Sequence, residues 1–70
     1  MNDRLEQAKR HVRTGEEIVE RQRVLIAVVK ANGGDITLAE QLLAQFEVSL
    51  RTFRRDLETL KGKDNLNSGD

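Results

Sequence analysis

The sequence predicts an all-α protein, an antiparallel two-helix hairpin with a coiled-coil-like seam. Apolar residues recur every seven positions in two long segments, which is typical of helices that pack along one stripe. The strongest interior break is Asn32-Gly33-Gly34-Asp35, near the middle of the 70-residue chain. The sequence has no proline, and residues 35–61 contain no glycine, so nothing in the second segment is expected to interrupt a helix.

The first helix is predicted over about residues 3–31, and it ends where Gly33 can adopt the left-handed conformation that commonly follows a helix. Its apolar stripe consists of two rows, each with a seven-residue spacing. The first row is Leu5, Val12, Val19 and Ile26, and the second is Ala8, Gly15, Gln22 and Val29.

A turn over residues 32–35 precedes the second helix, which is predicted over about residues 36–61. Thr37 and Glu40 have the spacing of a capping box, and Asp35 is a competing cap. Gly62 is expected to end this helix, and residues 62–70 are expected to form a flexible tail. The stripe of the second helix is Ile36, Ala39, Leu43, Phe46, Leu50, Phe53, Leu57 and Leu60.

Folding the chain at Gly33-Gly34 brings the two stripes together in one register. In that register Gly15 faces Phe53, so that a large side chain lies opposite a position with none. Gly15 would otherwise weaken the helix by about 1 kcal/mol relative to alanine. Gln22 faces Phe46 from within an apolar row. Its amide either reaches the edge of the seam or bonds locally, or it fixes the register or oligomeric state.

Composition limits the function classes. Seventy residues form at most one domain with a thin core. There is no cysteine and one histidine, which leaves no disulfide, no thiolate metal site and no histidine-rich metal site. Twelve basic and twelve acidic residues cancel, unlike the strongly basic balance of many nucleic-acid-binding domains. No apolar run approaches the roughly 18–20 residues that span a bilayer, and the amino-terminal residues do not resemble a secretory signal. We therefore expect a cytoplasmic protein with no membrane partner.

We find no motif for catalysis, cofactor binding or metal binding, and we expect that the protein is not an enzyme. Ser49 has no histidine near it in sequence. His11 is expected on the flank of the seam near residue 57.

Six apolar residues do not fit in a two-helix seam. Because most of them would cluster near the turn, we predict an interface there, and a homodimer that forms a four-helix bundle. The expected partners are a second copy of the chain and an unidentified protein. The candidate interface residues are Ile18, Val24, Leu25, Val28, Leu38 and Leu42.

Five basic residues would gather at the other end of the hairpin: Lys9, Arg10, Arg13, Arg54 and Arg55. Acidic residues are interleaved with them. This pattern favours a solvated face supported by Glu6–Arg10, Glu17–Arg21 and Glu47–Arg51 pairs. The alternative is a patch that binds nucleic acid or an acidic partner, and we do not expect nucleic acid.

Residues 42–60 resemble the recognition half of a repressor-type helix-turn-helix motif, most clearly in FEVSLRTFRRDLETL. That motif requires a turn near residues 47–49, where a glycine is common and this chain has Glu47. The competing hypothesis is therefore a DNA-binding transcriptional regulator that uses residues 38–60. We favour a continuous helix and a protein-interaction module.

Residues 10–60 also resemble a family of small uncharacterised helical-hairpin proteins of rhizobia and other alphaproteobacteria. The resemblance is carried by RHVRTGEEIVERQRVLI and GGDITLAEQLLAQFEVSLRTFRRDLETL. It implies the hairpin fold and no particular activity. The positions that carry the resemblance are His11, Gly15, Glu16, Gln22, Arg23, Ala39, Leu42, Leu43, Phe46, Glu47 and Leu50.

Overall fold

The structure, a computed structural model, describes the backbone of residues 3–68 and the side chains of residues 3–62. It contains helix α1, Asp3–Ala31, and helix α2, Thr37–Ser68. The two helices pack against each other in antiparallel directions along a molecule that measures 58 × 15 × 14 Å. The predicted all-α helical hairpin is confirmed.

The seam between the helices is built from the predicted stripes. Every stripe residue is buried or half-buried, and among the described side chains Glu47 is the only other residue that is not exposed. The most buried of the described residues are Ala8, Val19 and Leu50, with exposures of 7%, 4% and 5%. The heptad spacing therefore follows the contact line along both helices, and it encloses only a narrow core.

Gly15 lies where the helices approach each other closely. A Cβ atom placed on Gly15 would lie 3.0 Å from Leu50 Cδ1 and 3.7 Å from Phe53 Cδ2. The predicted contact with Phe53 is confirmed, and Leu50 is the nearer neighbour. The space that a side chain would need at Gly15 is thus filled by two large residues of α2.

The turn ends α1 through two glycines that act differently. Gly33 has a φ of +76°, and its amide donates to the Lys30 carbonyl (3.0 Å). The Gly34 amide donates to the Val29 carbonyl (2.9 Å), which completes a Schellman motif. A Cβ on Gly34 would lie only 2.6 Å from Val29 Cγ1. Gly33 therefore supplies a backbone conformation, and Gly34 supplies space.

Asp35 caps the start of α2. Its Oδ1 accepts hydrogen bonds from the Thr37 amide (2.9 Å) and the Thr37 hydroxyl (2.7 Å). The predicted capping box is wrong, because the Thr37 hydroxyl donates to Asp35 and the Glu40 amide donates to the Ile36 carbonyl (2.8 Å). The hydrogen bonds from Thr37 stabilise the carboxylate and lower the pKa of Asp35 from its ordinary value of 3.8.

The predicted end of the second helix is corrected, since α2 continues past Lys61 and Gly62 to Ser68. Gly33 is the glycine with positive φ within the described residues, so Gly62 does not adopt the conformation that ends helices. A glycine inside a helix costs only about 1 kcal/mol relative to alanine, and one such residue need not end it. Residues 69 and 70 of the predicted flexible tail lie outside the described residues.

The backbone of α2 is also helical throughout residues 46–49. A helix-turn-helix motif requires two separate helices at this position. The segment that resembles a repressor is one continuous helix, as the unbroken stripe predicts.

We expect that Gly15→Leu lowers the free energy of unfolding by about 1–3 kcal/mol, because the new side chain would overlap Leu50. The matched control is Gly62→Leu, since a Cβ at Gly62 meets nothing within 4 Å. The control should retain or raise stability, because leucine favours helix more than glycine does. Urea denaturation followed by circular dichroism measures both variants, and equal stability of Gly15→Leu and the wild type would contradict the packing.

Asp35→Ala should lower stability at neutral pH through loss of the helix cap. The folded-state pKa of Asp35 is lowered, so its contribution is present above the unfolded value and is lost as the pH falls through the folded-state pKa. The difference between wild type and variant should therefore shrink near about pH 2. Thermal unfolding at both pH values and one protein concentration measures this. An undiminished difference at low pH would argue against a role for the ionised carboxylate.

Candidate protein-interaction surface

The seam has two flanks with different chemistry. On one flank, Glu16 and Arg54 pair across the helices (3.1 Å), and so do Arg23 and Glu47 (2.9 Å). We call this side the charged flank. These side chains remain partly exposed, and such pairs typically contribute about 0.2–1 kcal/mol each. Their main effect is to cover that side of the seam with satisfied charges.

None of the three ion pairs predicted within one helix forms among the described side chains. Glu6 pairs with Lys9 (3.5 Å), and Glu47 pairs with Arg23 of α1. No ion pair joins Glu17 to Arg21 among the described side chains. Local spacing could identify partners along one helix, but the antiparallel packing brings guanidinium groups of the other helix within reach of Glu16 and Glu47.

The second flank carries the apolar surplus, and we call it the apolar flank. All six predicted interface residues are exposed in the single chain, Leu25 by 50% and Leu42 by 44%. Ile18 and Leu25 follow His11 at seven-residue steps on α1, and Leu42 and Ser49 precede Asp56 at the same steps on α2. Because the seam follows the heptad spacing throughout, residues related by seven keep the same position beside it.

Within the apolar flank, the apolar residues concentrate toward the turn, which we call the loop end. Leu25 and Leu42 lie beside the seam, and Val28 and Leu38 lie one row farther out at the same end. Val24 shares the heptad position of Arg10, Glu17 and Ala31 and lies on the outer face of α1, away from the seam. A contiguous exposed apolar patch of this kind commonly marks an interaction site.

At the other end of the same flank, where α1 begins, the surface is a groove of about 370 Å³. We call this the open end. The ring of His11 lies 5.1 Å from the ring of Phe53 at an interplanar angle of 45°. His11 is thus on the flank as predicted, with Phe53 as its ring neighbour. The groove residues are Arg4, Gln7, Ala8, His11, Phe53, Asp56, Thr59 and Leu60.

Gln22 makes a hydrogen bond that the sequence did not predict. Its Nε2 donates to the Ala39 carbonyl across the seam (2.9 Å). This satisfies a part-buried amide and ties one residue of α1 to the first turn of α2. The acceptor is a backbone group, so no pattern of side chains could have identified it.

The five basic residues predicted as a patch are all exposed. Two of them have acidic partners, because Lys9 pairs with Glu6 and Arg54 pairs with Glu16. This pairing reduces the local positive charge and favours a solvated face over a phosphate-binding patch.

Within residues 3–62, the side chains include no group of three or more metal-ligating residues that could hold an ion. Neither helix, over the part that the structure describes, is long and apolar enough to cross a membrane. The chain matches no protein-family model, no curated protein and no solved structure. The resemblance to small alphaproteobacterial hairpin proteins stays a prediction.

We expect no sequence-dependent binding of duplex DNA at about 0.15 M salt, because the charges balance and Lys9 and Arg54 have acidic partners. Gel retardation with a pool of random duplexes measures this. Glu6→Gln combined with Glu16→Gln is the informative comparison, since it leaves Lys9 and Arg54 without these partners. Tight retardation of a selected sequence by the wild type would contradict the expectation.

Proposed function

We propose that the chain is a non-enzymatic protein-interaction module, an accessory or regulatory protein that acts in the cytoplasm through helix–helix contacts. We further propose that it associates with itself and that an unidentified protein binds the resulting assembly. The single observation that carries the proposal is the exposed apolar flank beside a seam that is otherwise packed. The resemblance to small alphaproteobacterial hairpin proteins is consistent with this proposal and adds no activity to it.

The small core supports self-association. Three of the described residues are buried, and the chain exposes 5679 Å². A compact protein of 8.0 kDa would expose about 4,500 Å². Chains of this size that lack a disulfide or a structural metal commonly gain stability by associating.

The DNA-binding alternative has less support. A helix-turn-helix motif requires a turn near Glu47, and α2 is continuous there. Among side chains 3–62, an enzymatic function has no set of converging groups behind it, since His11 packs on Phe53, and Glu16 and Glu47 form ion pairs. The interaction-module proposal accounts for the exposed apolar flank, which the packing of the single hairpin does not explain.

Leu25→Glu or Leu42→Glu should weaken self-association by about 30-fold or more, which corresponds to about 2 kcal/mol. Each change would place a carboxylate in an apolar contact. Val48→Glu is the matched control, because Val48 is 56% exposed and lies on the outer face of α2. Sedimentation equilibrium measures all three variants.

The stability of the wild type should also rise with protein concentration, since association stabilises the folded state by mass action. A wild-type monomer at tens of micromolar would contradict self-association. Equal weakening by Val48→Glu would contradict the assignment of the interface to the apolar flank.

A further inference from the structure

We propose that two hairpins associate through their apolar flanks with their loop ends together, so that α1 of each copy packs against α2 of the other. The two-fold axis then runs parallel to the helices, and the charged flanks face solvent. This inference rests on the proposed self-association and specifies its geometry.

The ion pairs indicate which flank is buried. Covering the charged flank would remove Glu16, Arg54, Arg23 and Glu47 from water, and the desolvation of buried charges can exceed the attraction between them. The apolar flank has no such cost near the loop end, where Leu25, Leu42, Val28 and Leu38 are exposed. Association through the apolar flank therefore removes apolar surface from water and leaves the ion pairs hydrated.

The polarity of the apolar flank changes along the hairpin, and this change indicates how the second hairpin is oriented. We say that two residues, one on each helix, share a level when they lie at the same height along the hairpin, as His11 and Asp56 do where they line one groove. Residues that share a level would face the same stretch of a second hairpin. Beside the seam, the levels change from polar at the open end to apolar at the loop end. From the open end they are His11 with Asp56, Ile18 with Ser49, and Leu25 with Leu42.

The next row outward shows the same change. Its residues are polar over three levels and apolar at the fourth, which lies at the loop end. From the open end the levels are Gln7 with Thr59, Thr14 with Thr52, Arg21 with Gln45, and Val28 with Leu38.

With the loop ends together, every level of one copy meets the same level of the other. Leu25 of one copy then lies over Leu42 of the second, and Val28 lies over Leu38. At the open end, His11 of one copy lies over Asp56 of the second, and an imidazole N–H can donate to the carboxylate. Apart from Ile18, which lies over Ser49, apolar residues meet apolar residues and polar residues meet polar ones.

The reversed orientation matches these levels less well. If the reversed hairpins overlap fully, the apolar loop end of each copy covers the charged and polar side chains Arg4, His11 and Asp56 that line the groove. If they overlap only at the apolar patches, the open ends project beyond the contact and stay exposed. Full overlap places apolar side chains over polar groups that then lose water without gaining a partner, and partial overlap buries less surface than when the loop ends meet.

Distances between spin labels test the orientation. The chain has no cysteine, so one introduced cysteine per variant gives one label per copy. Suitable variants are Arg10→Cys, Glu17→Cys and Ala31→Cys, which are exposed and lie at heptad-related positions of α1. Their shared position on the helix gives the three labels a similar offset from the bundle axis.

With the loop ends together, the three distances between copies should agree within about 10 Å, because labels on equivalent residues lie at the same level. In the reversed orientation, the two-fold axis crosses the helices at a right angle. The distance along the helices between two equivalent labels then grows by about 3 Å, twice the helical rise, for each residue between the label and that axis. The separations at positions 10 and 31 would then total about 60 Å, and at least one would exceed about 30 Å.

Sedimentation of the labelled variants separates the two proposals. A labelled dimer with three similar distances supports the arrangement. A dimer whose distances diverge along α1 overturns the orientation and leaves self-association intact. If the labelled variants and the unlabelled wild type all sediment as monomers, self-association is overturned, and this arrangement is overturned with it.

Discussion

The close contact of Gly15 with Leu50 and Phe53 is the constraint on which the rest of the structure depends. A Cβ at position 15 would lie 3.0 Å from Leu50 Cδ1, so Leu50 would have to shift by a few tenths of an ångström to admit it. The packed stripes set the register of the seam, and the register in turn sets which residues lie on each flank. Because the core is narrow, with three buried residues among those described, a change at this contact acts on a large share of the packing.

The same register makes the two flanks unequal. It brings Glu16 to Arg54 and Arg23 to Glu47, so one flank is covered by charges that satisfy one another. It also leaves Leu25 and Leu42 beside the seam with no partner in the single chain. A two-helix hairpin can bury only one stripe of each helix, so the second apolar stripe requires a partner or stays exposed. The proposed function follows from that geometric limit.

Prediction from the sequence succeeded where a repeating pattern extended over several turns. The hairpin, the stripe residues and the exposed surplus follow from the heptad spacing, which samples each helix many times and averages out single exceptions. Prediction from the sequence failed where the outcome depended on a single residue. Gly62 was expected to end α2, but glycine ends a helix through its backbone conformation, and the residue type alone does not determine φ. The capping box failed because Asp35 competes for the hydroxyl of Thr37.

Local conformation and the period of the apolar residues predict the two helices, the turn at Gly33-Gly34 and the residues that form the seam, but not the end of α2. Tertiary structure decided the partners of individual polar groups. The Gln22 amide bonds to the Ala39 carbonyl, and Arg23 pairs with Glu47. Long side chains have several partners within reach along their own helix. Only the distance between the packed helices determines which donor and acceptor meet.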